Sequence, residues 1–420
     1  MIQGNRIKTI ALYASNAMVY AFSALFLCFM PLYFNARFTP AESGLLLSIG
    51  PIVSIVTPLF WGRIADRSKF KNSTLIICIL FSAVFFFLQQ FCTTPLSMGI
   101  VVACIWVFMA PFNGLIDAIT LEYSLTAHTY YGTMRVMGTI GFGVITLVSS
   151  LVSGGNFSVI FYIYVGMAAL AVASLLLGPQ IKGYGHREKK DRKPDPGKQI
   201  HSEGIRSLLT NRTLLLLILC MMCGQFLLQY YNNFFPTYLT TDLKQDSWVW
   251  GLCVLLSVSG EIPFFFLYTK LYDQLGIKRV LLIALPLTVL RATLLGLVTN
   301  IPAILVVDTL TGICSTMMNY SASTYLIRSV APELRATGQT LMYCIGQNLA
   351  RVFAGVVGGQ IQSWLGTSRG LFICAGIAGV VFVVFLFTLW RDPSPHLGPK
   401  PYAETLEHHA KHLRETESPK

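Results

Sequence analysis

Charge is the scarcest property of this sequence. Only 12% of its 420 residues are Asp, Glu, Lys or Arg, while 54% are hydrophobic and the mean hydropathy is +0.61. A soluble chain carries about twice that charged fraction, so the expected solvent is lipid. Nothing matches a Walker A phosphate loop, which argues against an ATP-driven pump. No Ser/His/Asp set and no paired carboxylates suggest catalysis, so an enzyme is not expected, and no cofactor is implied. The seven histidines offer little for a metal. His408, His409 and His412 fall in a polar tail that reads as solvated. Cys220 and Cys223 form a CxxC without a second ligand pair, so zinc is not expected. The ten cysteines all fall within or beside apolar runs, where they serve as small packing residues. Acids are scarcer than bases, 19 against 31. The resulting excess of +12 sits in loops and reads as a membrane-topology signal, so nucleic acid is not an expected partner.

What the sequence has in quantity is long apolar runs. Segments such as Leu75 to Phe91, Val280 to Val298 and Gly370 to Trp390 approach the roughly 20 residues that cross about 30 Å of hydrocarbon. Gly, Pro and charge clusters punctuate twelve candidate spans, at 10–34, 43–63, 73–92, 96–122, 134–154, 157–178, 213–240, 248–270, 278–299, 301–327, 339–363 and 369–390. The first lacks a small-residue cleavage site and is expected to be retained. A polar run, His186-Arg-Glu-Lys-Lys-Asp-Arg-Lys-Pro-Asp-Pro, divides spans six and seven. The expected domains are therefore a six-helix bundle at 1–178, a linker at 179–212, a second six-helix bundle at 213–391 and a tail at 392–420. Lys and Arg cluster at the N-terminus, after spans two, eight and ten, and in the linker. The positive-inside rule then puts both termini and the linker in the cytoplasm of a cell-membrane protein.

Against this background the embedded charges demand explanation, because each costs roughly 2.5–3.5 kcal/mol at a bilayer centre on insertion scales. Asp117 and Arg135 fall in spans four and five. On adjacent helices they can satisfy each other when a site is empty and hydrogen-bond a solute when it is full. The bland alternative is an ion pair that pins two helices. In the second half the embedded charges are Glu261, Arg291, Asp308 and Arg351.

The two halves repeat a loop motif. After span two stands Gly62-Arg-Ile-Ala-Asp66-Arg67-Ser-Lys69-Phe-Lys71, and after span eight Thr269-Lys-Leu-Tyr-Asp273-Gln-Leu-Gly276-Ile-Lys278-Arg279. The two acids lie 207 residues apart (273 − 66), about half the chain. This pattern resembles the signature of the major facilitator superfamily, G-x-x-x-D-R/K-x-G-x-R/K, with Ser68 and Thr269 as departures. The resemblance implies an all-α membrane protein of twelve transmembrane helices in two pseudo-symmetric six-helix bundles. Gly62, Asp66, Arg67, Asp273, Lys278 and Arg279 would then form conformational latches, with the acid at a helix N-terminus and the bases facing headgroups.

The segment Asp117-Ala-Ile-Thr-Leu-Glu122, followed by Tyr131-Gly132-Thr-Met-Arg135-Val-Met-Gly138-Thr-Ile-Gly141-Phe142, resembles spans four and five of the lactose permease and phenylpropionate permease-like branch. By that resemblance Asp117 and Arg135 bind substrate and Phe142 stacks on it, although Asp and Phe replace the Glu and Trp of lactose permease. Glu261 and Arg291 match charges of spans eight and nine. Thr311 and Cys314 replace its span-ten His and Glu, so the proton route must differ. Glu261 is the expected proton carrier, with Arg291 modulating it, and Asp308 and Arg351 are expected to bridge spans ten and eleven. Asn16, Tyr20, Asn113, Asn232, Asn233 and Gln347 complete the expected substrate site, with Pro111 and Pro236 breaking helices beside it.

These readings converge on a monomeric secondary transporter that moves a small polar organic solute, such as a sugar, nucleoside or aromatic acid, together with a proton by alternating access. The runner-up is proton-antiport efflux of drugs or metabolites. Efflux members usually carry Gly-Pro late in span five, whereas this span ends Ser153-Gly154-Gly155 without proline.

Overall fold

A computed structural model describes residues 2–183 and 208–391, apart from 128, 130, 209 and 331, together with residue 397. Most of the expected linker and tail, including the three tail histidines, lies outside the described residues. Within them the chain is helical almost throughout, as lipid requires of a backbone that must satisfy its own hydrogen bonds. Eleven helical stretches are long and apolar enough to cross a membrane, and the last, Gly338–Trp390, runs to 53 residues. That length is two spans. Gly366 breaks it with φ 76°, a left-handed conformation that a side chain disfavours, and Gly276 breaks Ser247–Leu297 in the same way with φ 75°. The result is the twelve-helix, two-bundle architecture expected from the sequence.

Helix starts follow local chemistry. Thr39 caps the second span, with its side chain and that of Glu42 bonding each other's backbone N–H and Pro40 at the first position. Thr94, Pro95 and Ser97 repeat the device in span four, and Asn156 and Asn211 cap spans six and seven. Span four is interrupted between Met109 and Phe112, at the expected Pro111. Pro236 behaves differently from expectation. The helix Arg212–Thr237 runs through it and passes into a π-helical stretch, Tyr238–Asp242. Two further irregularities were not anticipated. Span ten divides at Thr309, between Ile301–Asp308 and Leu310–Ser329, and span eleven is π-helical over Met342–Leu349.

The halves meet through spans one and seven, two and eleven, and five and eight. Their close approaches gather at one end of the molecule, the end where span one finishes and span two begins. There Asn35 Nδ2 donates to Asn233 O at 3.0 Å and Trp250 Nε1 to Cys28 O at 3.1 Å. In the same region Gly44 packs on Gly355, and Gly251 lies against Leu147 and Ser150. Small residues let these backbones approach where apolar burial gives no advantage over lipid.

At the opposite end Lys71 Nζ contacts Asp66 at 3.1 Å and Glu122 at 2.6 Å, while Arg328 Nη2 holds Asp273 at 2.9 Å. Asp66 occupies the last turn of its helix, so the expected placement at a helix N-terminus is corrected; its countercharge is the lysine that opens the next helix. A Cβ on Gly62 would meet nothing within 4 Å, and Arg67 and Arg279 are exposed, whereas Lys278 Nζ donates to Trp390 O at 3.3 Å. The first residues of the expected linker join this loop. Lys71 N donates to Ile181 O at 2.8 Å, and Phe70 and Lys182 form an antiparallel bridge.

Candidate functional site

Between the halves lies a cavity of about 450 Å³. It is walled by side chains from both bundles, Tyr20, Asn113, Arg135 and Phe142 from the first and Asn232, Asn233, Glu261, Asp308 and Arg351 from the second. A volume in this range suits a small organic solute.

On the N-terminal side the expected pair forms. Arg135 Nε stands 3.6 Å from Asp117 Oδ1, with the side chains 37% and 33% exposed. Tyr20 Oη donates toward both Asp117 oxygens at 3.2 Å, and the Arg135 guanidinium lies 4.2 Å above the Tyr20 ring. The ring thus braces an acid and a base at once. Gly138 makes this possible, because a Cβ there would strike the Tyr20 ring. Span five crosses so close to span one that Gly141 rests on the backbone of Ala17.

On the C-terminal side the charges pair otherwise than expected. Asp308 does not bridge to Arg351. It accepts from Tyr231 Oη at 2.7 Å and Thr311 Oγ1 at 2.8 Å, and faces Arg291 Nη1 at 3.9 Å. Arg291 Nη1 donates to Thr311 Oγ1 at 2.6 Å, and its guanidinium lies 5.0 Å from the Tyr231 ring centre. Both Arg291 and Asp308 are 1% exposed. Arg291 is therefore committed to Asp308, which corrects its expected role beside Glu261. Glu261 lines the same cavity as Arg135.

Three expected ligands do not line the cavity: Asp117 meets it only through Tyr20 and Arg135, and Asn16 and Gln347 fall elsewhere. Asn16 is buried among helices, its Nδ2 donating to Leu12 O at 2.9 Å and Thr120 Oγ1 at 2.8 Å, away from the cavity wall. Gln347 reaches Asn319 at 3.4 Å, and Gln225 reaches the same oxygen at 3.1 Å, so this trio ties spans seven, ten and eleven together. In both cases an amide satisfies a helix neighbour instead of a solute.

Sequence reasoning missed Thr139, Gln229 and Trp250, which all line the cavity. Gln229 had a visible signal, since it stands one turn before Asn233 and bonds its Oδ1 at 2.8 Å. Trp250 had none, because its place at the cavity follows from span eight docking on span one.

A multi-pass helical protein with a central cavity between two bundles, walled by embedded charges, is a secondary active transporter of small solutes. The chain belongs to the MFS_1 like family, whose model matches residues 12–373. It is 25% identical over 375 residues to a maltose permease of Geobacillus stearothermophilus, covering 87% of this chain and 91% of that one. It is 24% identical over 346 residues to the nucleoside permease NupG of Escherichia coli strain K12, covering 79% and 81%. The crystal structure of nucleoside transporter NupG superposes with a TM-score of 0.80 at 20% identity over 92% of this chain and 99% of that one, which shows the shared fold.

Proposed function

We propose that this protein is a proton-coupled symporter that takes a small polar organic solute, a sugar, nucleoside or aromatic acid, across the cell membrane by alternating access. It acts as a monomer with both termini and the 179–212 linker in the cytoplasm. The observation that carries the reading is the Tyr20–Asp117–Arg135 cluster, whose arginine shares one cavity with Glu261. A partly exposed acid–base pair whose arginine lines a cavity is poised to exchange its internal bonds for bonds to a solute. Phe142 adds an apolar face, and Asn113, Asn232 and Asn233 add hydrogen-bonding groups. The maltose and nucleoside permease relatives support the sugar and nucleoside members of this class.

Glu261 is the proton carrier in this reading. Among the described residues it makes no hydrogen bond or ion pair, so its two charge states differ little in bonds lost within the protein. Arg135 links the proton to the solute. A solute that draws Arg135 away alters the field at Glu261, and rocking of the bundles alters its access to water. With cytoplasmic termini, the end sealed by Gly44 and Gly355 is the outer one, and this conformation faces inward.

Purified protein in liposomes, offered sugars, nucleosides and aromatic acids, tests the proposal. Solute-dependent proton uptake that vanishes in Asp117→Asn and Arg135→Ala, and loses its pH dependence in Glu261→Gln, is the expected result. Undiminished pH-driven accumulation in Glu261→Gln would remove Glu261 from the mechanism. Extrusion of dyes or drugs with no solute-driven proton uptake would replace symport by antiport efflux.

A further inference from the structure

Four side chains of the charged residue types line the central cavity, Arg135, Glu261, Asp308 and Arg351. Arg135 is engaged by Asp117, and Asp308 by Arg291, Tyr231 and Thr311. Arg351 and Glu261 remain. Among the described residues Arg351 has no hydrogen bond and no ion pair, and its Nε is buried without a partner. A guanidinium in a membrane span is costly and is ordinarily met by an acid, a carbonyl or water. Here the open face is the cavity itself.

The backbone favours the same reading. The π-helical stretch Met342–Leu349 ends two residues before Arg351, so a widened turn of span eleven immediately precedes the arginine. Such wide turns recur at functional sites because they re-aim a side chain that a regular helix would point elsewhere. Gln229, Asn232 and Asn233 place amides on the wall of the same cavity.

We propose that Arg351 is the anchor for a carboxylate of the transported solute, so that among the candidate classes this protein takes organic acids in preference to neutral sugars or nucleosides. The inference rests on the symport reading for its coupling but not for its binding. A planar guanidinium edge offers two parallel donors that match a carboxylate and have no equal partner on a neutral hydroxylated solute. The charge balance agrees. When Glu261 carries the proton, Arg135 and Asp308 are neutralised by their own partners, and Arg351 leaves the cavity one positive charge in excess. A monoanionic acid cancels it. One proton and one monoanion then cross together without net charge.

The test uses matched pairs that differ in a carboxylate, namely glucuronate with glucose, orotate with uracil, and benzoate with benzyl alcohol. Binding to the purified full-length protein is measured by calorimetry in wild type, Arg351→Gln and Arg351→Lys. The expected result is that at least one acid binds about tenfold or more tighter than its neutral partner. Arg351→Gln abolishes that preference and Arg351→Lys, which keeps the charge, retains part of it. Equal or better binding of the neutral member in every pair, silence across all six compounds included, overturns the proposal, as does an acid preference that survives in Arg351→Gln. In proteoliposomes the favoured acid should drive proton uptake without a substrate-evoked current. Proton uptake with current, driven by neutral solutes alone, overturns the carboxylate anchor and leaves symport standing. Arg351-dependent acid binding with no proton uptake at any pH keeps the anchor and overturns symport.

Discussion

Gly44 and Gly355 press on each other reciprocally: a Cβ on either residue would strike the other's carbonyl oxygen. Gly359 extends the contact, since a Cβ there would lie 2.8 Å from Pro40 O. Spans two and eleven therefore close on one another with no room for a methyl group, and the seal depends on what these residues lack.

Gly355→Val is expected to prop this seam open and shift the population toward the opposite conformation, because only the closed state suffers the clash. Spin labels at Leu45 and Gln360, both exposed beside the seam, should report a longer distance in the variant than in the parent. An unchanged distance would mean that the helices slide past the added bulk.

The two arginine–aspartate pairs should respond to mutation in opposite ways. Arg291 and Asp308 are each 1% exposed, so Arg291→Met leaves a buried carboxylate uncompensated at a cost of about 3–5 kcal/mol. The double variant Arg291→Met with Asp308→Leu should recover most of that loss. Arg135 and Asp117 are about one-third exposed, and removing one partner should cost only about 0–1 kcal/mol of stability. Arg135→Ala should nevertheless abolish solute binding. Thermal unfolding in detergent, measured beside binding, separates a structural pair from a working one.

The architecture was legible because lipid imposes it. Twelve apolar runs, a charged divider and a motif repeated at 66 and 273 leave few alternatives to two helical bundles. The pair Asp117–Arg135 was legible for a related reason, since charge in a span has to be accounted for. The finer pairing of Asp308 with Arg291, in place of Arg351, was not. It depends on Tyr231 and Thr311 converging on one carboxylate from two spans, and on the division of span ten at Thr309. Asn16 misled because a buried amide looks the same in sequence whether it meets a solute or the hydroxyl of Thr120.

Gly183 offers a test of how the start of the linker meets the signature loop. A Cβ there would run into the carbonyl oxygens of Ala65, Asp66 and Ser68, which are backbone and cannot swing aside. Gly183→Val is expected to break the bridge between Phe70 and Lys182 and to weaken the Lys71 N to Ile181 O bond. Faster amide hydrogen exchange at Lys71 in the variant, with exchange in spans five and six unchanged, would show it. Unchanged exchange at Lys71 would mean that the contact is dispensable.

The latches of the two halves balance charge differently, and their variants should rank accordingly. In the second half an arginine at the end of span ten meets Asp273 directly, Arg328 Nη2 at 2.9 Å. Close to one repeat earlier, at the end of span four, stands the acid Glu122, 206 residues before Arg328 (328 − 122), so Asp66 and Glu122 share one lysine. Lys71 is 7% exposed and lies between two carboxylates, whereas Arg328 meets Asp273 and also donates to Tyr272 O at 3.3 Å. Lys71→Met thus removes a buried ammonium and leaves like charges facing each other, at a cost of about 1.5–3 kcal/mol for each charge-assisted bond lost. Arg328→Met removes the charge-assisted bond to Asp273 from a side chain that also has a backbone carbonyl as partner. Melting temperatures should therefore fall further for Lys71→Met than for Arg328→Met, and adding Glu122→Gln to Lys71→Met should restore part of the loss. If Glu122→Gln deepens the loss instead, the two carboxylates are not in conflict, and the lysine acts mainly through packing.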